Sequence, residues 1–179
     1  MGVVQGSVAR GSTMAHPAYR AGAAALVVAL AAILGAIGIE YLGGYAPCPL
    51  CLEQRTAYYV SIPLLFLALV LVAADRRRLA ALLFFTVALA FLLNSALGVY
   101  HAGAELKYWP GPATCAGGGV GVTGNAGSLL GELANSRVVR CDEPALLVLG
   151  LSLAAWNALV SLGLFLAALK AAFFSAGRN

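Results

Sequence analysis

Four cysteines are the residues of this chain whose type and spacing allow covalent chemistry. Cys48 and Cys51 form a Cys-Pro-Leu-Cys motif, whereas a longer loop separates Cys115 from Cys141. A disulfide between Cys48 and Cys51 would remove little chain entropy, and Cys-x-x-Cys is the usual spacing of redox-active dithiols. A disulfide across the longer loop would stabilise a fold. The sequence therefore predicts dithiol redox chemistry, with two structural disulfides as the alternative.

Other uses of a Cys-x-x-Cys motif fit this sequence less well. Covalent haem attachment requires a histidine directly after the second cysteine, where this chain has Leu52. A four-cysteine zinc site normally has a second short-spaced pair, which Cys115 and Cys141 do not form. A thioredoxin-type module would place the motif in a βαβ pattern, and none surrounds it. We therefore expect no metal site.

The elements that must position these cysteines are long apolar segments. The chain has 179 residues, of which 61% are hydrophobic and 10% charged. Soluble domains have about 45–50% apolar and 25% charged residues, and disordered chains are still more polar. The composition therefore excludes both classes and indicates a small integral membrane protein.

Four segments lack charged residues over a length that can cross a membrane, namely 21–39, 56–74, 79–104 and 144–169. About 20 helical residues span the roughly 30 Å apolar core of a bilayer. The alternating polarity of β-barrel strands is missing. The predicted fold is an all-α, four-helix membrane bundle in one domain, with spans at about 21–40, 55–74, 79–101 and 145–169.

Charge distribution predicts the orientation of these spans. Both termini and the short loop 75–78 contain seven basic residues against one acidic residue, whereas the opposite side, with the adjoining span ends Glu40 and Arg55, contains four against six. The positive-inside rule makes the first set cytoplasmic. Loops 41–54 and 102–144 then face the periplasm, where disulfides persist. The net charge of +4 thus indicates no nucleic-acid partner. The first apolar segment has full spanning length, so we expect an uncleaved helix.

A cation accompanies the cysteine motif. Cys51 lies just before the second span, where the unpaired N–H groups of a helix N-terminus favour a thiolate. Arg55 follows one helical turn later, on the same face. It could anchor lipid headgroups, or stabilise a thiolate or the charge on an electron acceptor. Because haem, flavin and iron–sulfur signatures are missing from the sequence, a quinone held between the helices near Arg55 is the expected acceptor.

Several motifs on this topology resemble the disulfide-bond-formation protein B (DsbB) family. The first outer loop reads Cys-Pro-Leu-Cys-Leu-Glu-Gln-Arg at 48–55, and the resemblance covers about residues 20–170. The other matching segments are Tyr100-His101, Trp109-Pro110-Gly111-Pro112-Ala113-Thr114-Cys115, Cys141-Asp142-Glu143-Pro144 and Trp156-Asn157.

The resemblance implies a thiol:quinone oxidoreductase of the bacterial inner membrane. Such an enzyme reoxidises a periplasmic thioredoxin-fold oxidase of the DsbA type and passes two electrons to ubiquinone or menaquinone. DsbA has a reduction potential near −120 mV, so its reoxidation requires an acceptor with a more positive potential. The implied partners are therefore a DsbA-type oxidase, the quinone pool and the lipid bilayer.

The resemblance also implies a role for each cysteine. Cys115 is the sulfur that the partner's thiolate attacks, and Cys141 is its companion, which exchanges with Cys48. Cys51 is the thiolate next to the quinone. We expect Cys48–Cys51 and Cys115–Cys141 disulfides at rest and a Cys48–Cys141 disulfide during turnover.

Two further residues match quinone-site positions of the family. Arg55 would support the thiolate–quinone complex, and His101 would lie near the quinone at the end of span three. For His101 a hydrogen bond to a carbonyl group or to headgroups is the alternative. Glu53 and Gln54 receive no chemical role.

Other residues and functions stay open at this point. Tyr58 is expected in an interfacial aromatic belt, and Asn94 and Asn157 in interhelical hydrogen bonds. Segment 116–140 begins with a glycine-rich stretch and could continue as a helix on the membrane surface. A scaffold with two permanent disulfides is the non-enzymatic alternative. The vitamin K epoxide reductase family is a second enzymatic one, although its quinone-side motif lies late in the bundle.

Overall fold

The computed structural model describes residues 16–112 and 140–177. Four long helices make up most of this part of the chain: α1 (Pro17–Gly43), α2 (Pro49–Ala73), α3 (Arg77–Glu105) and α4 (Leu153–Ala176). Each is long and apolar enough to cross a membrane. The predicted all-α, four-helix membrane bundle is confirmed.

Helix α2 begins at the cysteine motif. Cys48 is its N-cap residue, and its Sγ atom accepts a hydrogen bond from the backbone N–H of Cys51 at 3.2 Å. Pro49 occupies the first helical position, where proline lacks only an N–H group that has no helical partner. The local sequence therefore places Cys51 in the first turn of α2.

Helix α4 begins later than the predicted span 145–169. Leu147–Val148 pairs with Leu151–Ser152 as a two-stranded antiparallel hairpin, β1 and β2. The turn between them contains Gly150 at φ 83°, a left-handed conformation that glycine adopts readily. Ser152 then caps α4 by accepting a hydrogen bond from the N–H of Ala155 at 3.2 Å. Hydropathy missed the hairpin because its side chains are as apolar as those of the helix.

The most extensive helix–helix contact joins α3 to α4. A Cβ atom on Gly98 of α3 would lie 3.0 Å from the backbone of Ala158 on α4, so the two backbones approach closely. Phe84, Phe91, Leu65 and Leu164 fill the interior. Many large apolar side chains, such as Leu93, point outward, as expected for helices that contact lipid.

Candidate active site

The two cysteines at the start of α2 are free thiols, so the structure describes the reduced form of this pair. Cys48 is buried and Cys51 is partly exposed. A hydrogen bond with Cys51, followed by burial, raises the pKa of the Cys48 thiol well above its ordinary value. Cys48 therefore keeps its proton in the reduced pair. The expected resting disulfide between the two stays a prediction.

His101 of α3 contacts this pair. Its side chain is 2% exposed, and its Nε2 atom lies 3.7 Å from the Sγ atom of Cys48. The two sulfurs and the imidazole lie within 4.8 Å of one another. Three donors do not complete a closed structural zinc site, which takes four. Because the described residues supply only these three donors, we assign the cluster to thiol chemistry.

Arg55 on α2 forms an ion pair with a residue of α1. Its guanidinium donates to the carboxylate of Glu40 on α1, and to the backbone carbonyl of Ala36 at 3.4 Å. The motif predicts a functional cation but not its partner, because Glu40 and Arg55 belong to different helices. The pair fixes the guanidinium beside the first turn of α2.

A cavity of about 300 Å³ opens between α1, α2 and α4, next to the cysteine pair. Its volume is at the lower end of the range for small-molecule sites. Most of its wall is apolar, from residues such as Ile33 and Val160. The polar and reactive residues of its lining include Glu40, Cys51, Gln54, Arg55, Tyr58, His101 and Asn157. The cavity thus brings together Cys51, Arg55 and His101, three of the predicted site residues.

A chain of buried hydrogen bonds leads away from His101. The amide Nε2 of Gln54 lies 2.9 Å from His101 Nδ1, and Asn157 Nδ2 donates to Gln54 Oε1 at 2.6 Å. Tyr58 in turn donates its hydroxyl proton to Asn157 Oδ1 at 2.7 Å. The chain links α2, α3 and α4 at the cavity wall.

The chain continues deeper into the bundle. Tyr58 lies 3.3 Å from the hydroxyl of Ser161, which accepts a hydrogen bond from Asn94 at 2.9 Å. Asn94 and Asn157 therefore make the interhelical hydrogen bonds that were expected of them. Tyr58 is a buried member of this chain rather than part of an interfacial belt. The sequence gives no role to Gln54, because its partners His101 and Asn157 lie on other helices.

Glu105, the last residue of α3, is a second neighbour of His101. Its Oε1 atom lies 3.8 Å from His101 Nε2, and its side chain is 8% exposed. Its Oε2 atom has no hydrogen-bond partner within the described residues. The predicted loop 102–144 includes Glu105, so this residue has no predicted role in the site. Its spacing of one helical turn from His101 was the available signal.

Cys141 lies next to the cysteine pair. It is buried, disulfide-bonded, and packs in a cluster with Cys48 and Leu50. Cys141 therefore packs against Cys48, and its exchange with Cys48 stays a prediction. Cys115 lies outside the described residues, as does segment 116–139 with its expected surface helix.

An ion-pair network fixes the segment that carries Cys141. Lys107 donates to the backbone carbonyl of Asp142 at 2.6 Å and to its carboxylate at 2.7 Å. Arg140 donates to the same carboxylate at 2.9 and 3.0 Å. Hydrogen bonds from Arg140 and then from Lys107 hold the pKa of Asp142 well below its usual range. The network ties the residue after Cys141 to the end of α3.

These features define a multi-pass membrane protein with a pair of thiols, one of them buried, beside a largely apolar cavity. Residues 19–171 match the model of the family described as Disulfide bond formation protein DsbB, and the chain belongs to this family. The family comprises disulfide-bond-formation proteins and is known to use quinones. The predicted family resemblance is confirmed.

A relative is also found among curated proteins. The chain is 25% identical over 142 residues to the uncharacterised protein RP370 of Rickettsia prowazekii (strain Madrid E). The aligned region covers 79% of this chain and 80% of that protein. No solved structure matches the chain significantly.

Proposed function

We propose that this protein generates disulfides by reoxidising a periplasmic thiol oxidase of the DsbA type and passing the two electrons to a membrane quinone. The observation that carries the proposal is the shared cavity, which Cys51, Arg55 and His101 all line. Its largely apolar wall suits a lipid-soluble ring, and its few polar groups suit the ring's carbonyl oxygens. When bound, a quinone supplies a two-electron acceptor for the thiols.

The cysteines of this chain relay the electrons by disulfide exchange. A thiolate of the reduced partner attacks Cys115 and releases Cys141 as a thiolate. Cys141 then attacks Cys48, so the Cys48–Cys51 bond breaks and its electron pair stays on Cys51. Burial of Cys48 and Cys141 in one cluster supports this order. Each exchange forms one S–S bond and breaks one, and two electrons reach Cys51.

Arg55 would stabilise the negative charge beside Cys51. Its guanidinium cannot lose its proton in a protein, and the bonds to Glu40 and Ala36 fix its position in the cavity wall. His101 contacts the other sulfur of the pair, that of Cys48. The roles of Arg55 and His101 rest on their places in the cavity and on the family.

The proposed location is the bacterial inner membrane, with both termini in the cytoplasm. The supporting observation is the basic loop 75–78 between α2 and α3, opposite the end that carries the cysteines. Loops 41–54 and 102–144 of the single membrane domain would then face the periplasm and its thiol oxidase.

The test is the absorbance of a soluble ubiquinone or menaquinone analogue, mixed with detergent-solubilised protein and a reduced DsbA-type donor. We expect donor-dependent loss of quinone that Cys51→Ser abolishes. Cys115→Ser should block oxidation of the protein donor but leave that of a small dithiol. No quinone loss with either quinone class, or full activity of Cys51→Ser, would contradict the proposal and favour a scaffold with permanent disulfides.

A further inference from the structure

His101 has polar neighbours on both ring nitrogens. Gln54 lies at Nδ1, and both Cys48 and Glu105 lie within 3.8 Å of Nε2. The ring also forms a hydrogen bond with the backbone of Cys141. In a neutral imidazole one nitrogen donates a hydrogen bond and the other accepts. Which nitrogen holds the proton decides whether His101 donates to Cys48 or accepts from it. The neighbours determine that choice.

The Nδ1 side is set by the hydrogen-bond chain. Tyr58 donates to the oxygen of the Asn157 amide, so the nitrogen of that amide faces Gln54. It donates to Gln54 Oε1, which leaves the Gln54 amide nitrogen to donate to His101 Nδ1. Every bond in the series runs in the same direction, so each donor polarises the next. Nδ1 of His101 therefore accepts.

The Nε2 side requires a donor. A carboxylate accepts hydrogen bonds only, and Glu105 presents Oε1 to Nε2 at 3.8 Å. The sulfur of Cys48 faces the same nitrogen at 3.7 Å. Among the described residues, the cations on adjoining segments pair elsewhere: Arg55 with Glu40, and Lys107 and Arg140 with Asp142. Both sides of the ring thus favour the proton on Nε2.

We propose that Gln54, oriented by Asn157 and Tyr58, is a positioning residue that holds His101 with its proton on Nε2, so that His101 donates to the sulfur of Cys48. The inference rests on the proposed function only in taking Cys48 as a reacting sulfur. The second thiolate of the partner first attacks the partner–Cys115 disulfide, which frees Cys115 as a thiolate and releases the oxidised partner. When Cys115 then attacks Cys141 of a Cys48–Cys141 disulfide, a Cys115–Cys141 bond forms, the Cys48–Cys141 bond breaks and its electron pair stays on Cys48. A donor aimed at Cys48 stabilises the departing thiolate.

The tautomer can be measured directly, without quinone or partner. The chain contains two histidines, His16 and His101, so protein labelled with ¹⁵N-histidine gives two sets of ring signals, which His16→Gln assigns. At a pH high enough for the imidazole ring to be neutral, we expect His101 to carry its proton on Nε2. A proton on Nδ1 in the wild-type protein would overturn the proposal.

Variants of Gln54 distinguish positioning from simple packing. In Gln54→Glu, a carboxylate at Nδ1 can only accept, so we expect the His101 proton to move to Nδ1. Gln54→Ala should give a mixture of both tautomers. Tyr58→Phe, which keeps the ring and removes the first donor of the series, should shift the balance in the same direction as Gln54→Ala. Glu53→Gln, at an exposed neighbouring position, is the matched control and should leave the signals unchanged.

Thiol reactivity gives a second, independent readout. In the full chain with Cys48 as its single cysteine, we expect Gln54→Ala to slow alkylation of Cys48 by iodoacetamide about tenfold at neutral pH, because the thiolate loses a donor. In a His101→Ala background the same change should have no further effect. An unchanged tautomer in both Gln54 variants, or an equal loss of reactivity with and without His101, would overturn the proposal while leaving the proposed function untouched.

Discussion

Arg55 on α2 is ion-paired with Glu40 on α1, and both side chains line the cavity next to Cys51. The side chains are largely buried, so neither charge is well solvated when its partner is removed. The pair therefore serves two purposes that mutation can separate. It joins two helices, and it places a fixed cation in the wall of the cavity.

Arg55→Ala should weaken quinone use more than Glu40→Gln does. Removal of the guanidinium takes away the cation that would stabilise charge beside Cys51, so we expect the apparent KM for quinone to rise about tenfold or more. In Glu40→Gln the cation stays, so KM should change by less than about threefold. The measurement is steady-state quinone reduction with both variants. Equal KM values in Arg55→Ala and wild type would remove Arg55 from the quinone site.

The close approach of α3 and α4 at Gly98 leads to a prediction about stability. Because a Cβ atom there would lie 3.0 Å from the backbone of Ala158, Gly98→Ala must push the helices apart. We expect a loss of about 1–3 kcal/mol in the free energy of unfolding in detergent. Gly35→Ala is the matched control, since no atom lies within 4 Å of its added Cβ. Equal stability of the two variants would contradict the close-packing interpretation.

The four-helix fold and the cysteine motif could be predicted because their signals are local. A charge-free segment indicates a span wherever it lies, and Cys48, Cys51 and Arg55 are neighbours along one helix. The partners of these residues are not local. Asn157 and Gln54 are 103 residues apart, and no periodicity in either helix shows which faces meet.

Two other features could not be predicted from the sequence, for physical reasons. The hairpin before α4 depends on the left-handed backbone at Leu149 and Gly150, which hydropathy does not detect. The position of Glu105 beside His101 depends on where α3 ends. Because that helix continues past the predicted span end at 101, a residue assigned to a loop lies in the site.

Asp142 should make the position of Cys141 depend on pH. Arg140 and Lys107 hold the pKa of Asp142 below its usual range. A lowered folded-state pKa contributes stability above the unfolded-state pKa, and that contribution is lost as pH falls through the folded-state value. We expect hydrogen exchange around Cys141, corrected for its intrinsic rate, to rise at strongly acidic pH. In Asp142→Asn it should already be raised at neutral pH. Glu53→Gln, at an exposed position outside this network, is the control, and equal exchange in Asp142→Asn and the wild-type protein would contradict the assignment.

The two thiols of the reduced motif should differ in reactivity. A hydrogen bond with Cys51, followed by burial, raises the pKa of the Cys48 thiol, so Cys48 stays protonated through neutral pH. Because the thiolate is the nucleophile, a short pulse of iodoacetamide at neutral pH should label Cys51 at least about tenfold faster than Cys48, as measured by mass spectrometry of peptides. Cys51→Ser removes the largest cause of the raised pKa, so labelling of Cys48 should become faster in that variant. Preferential labelling of Cys48 in the wild-type protein would reverse the proposed order of electron transfer, since it would make Cys48 the thiolate.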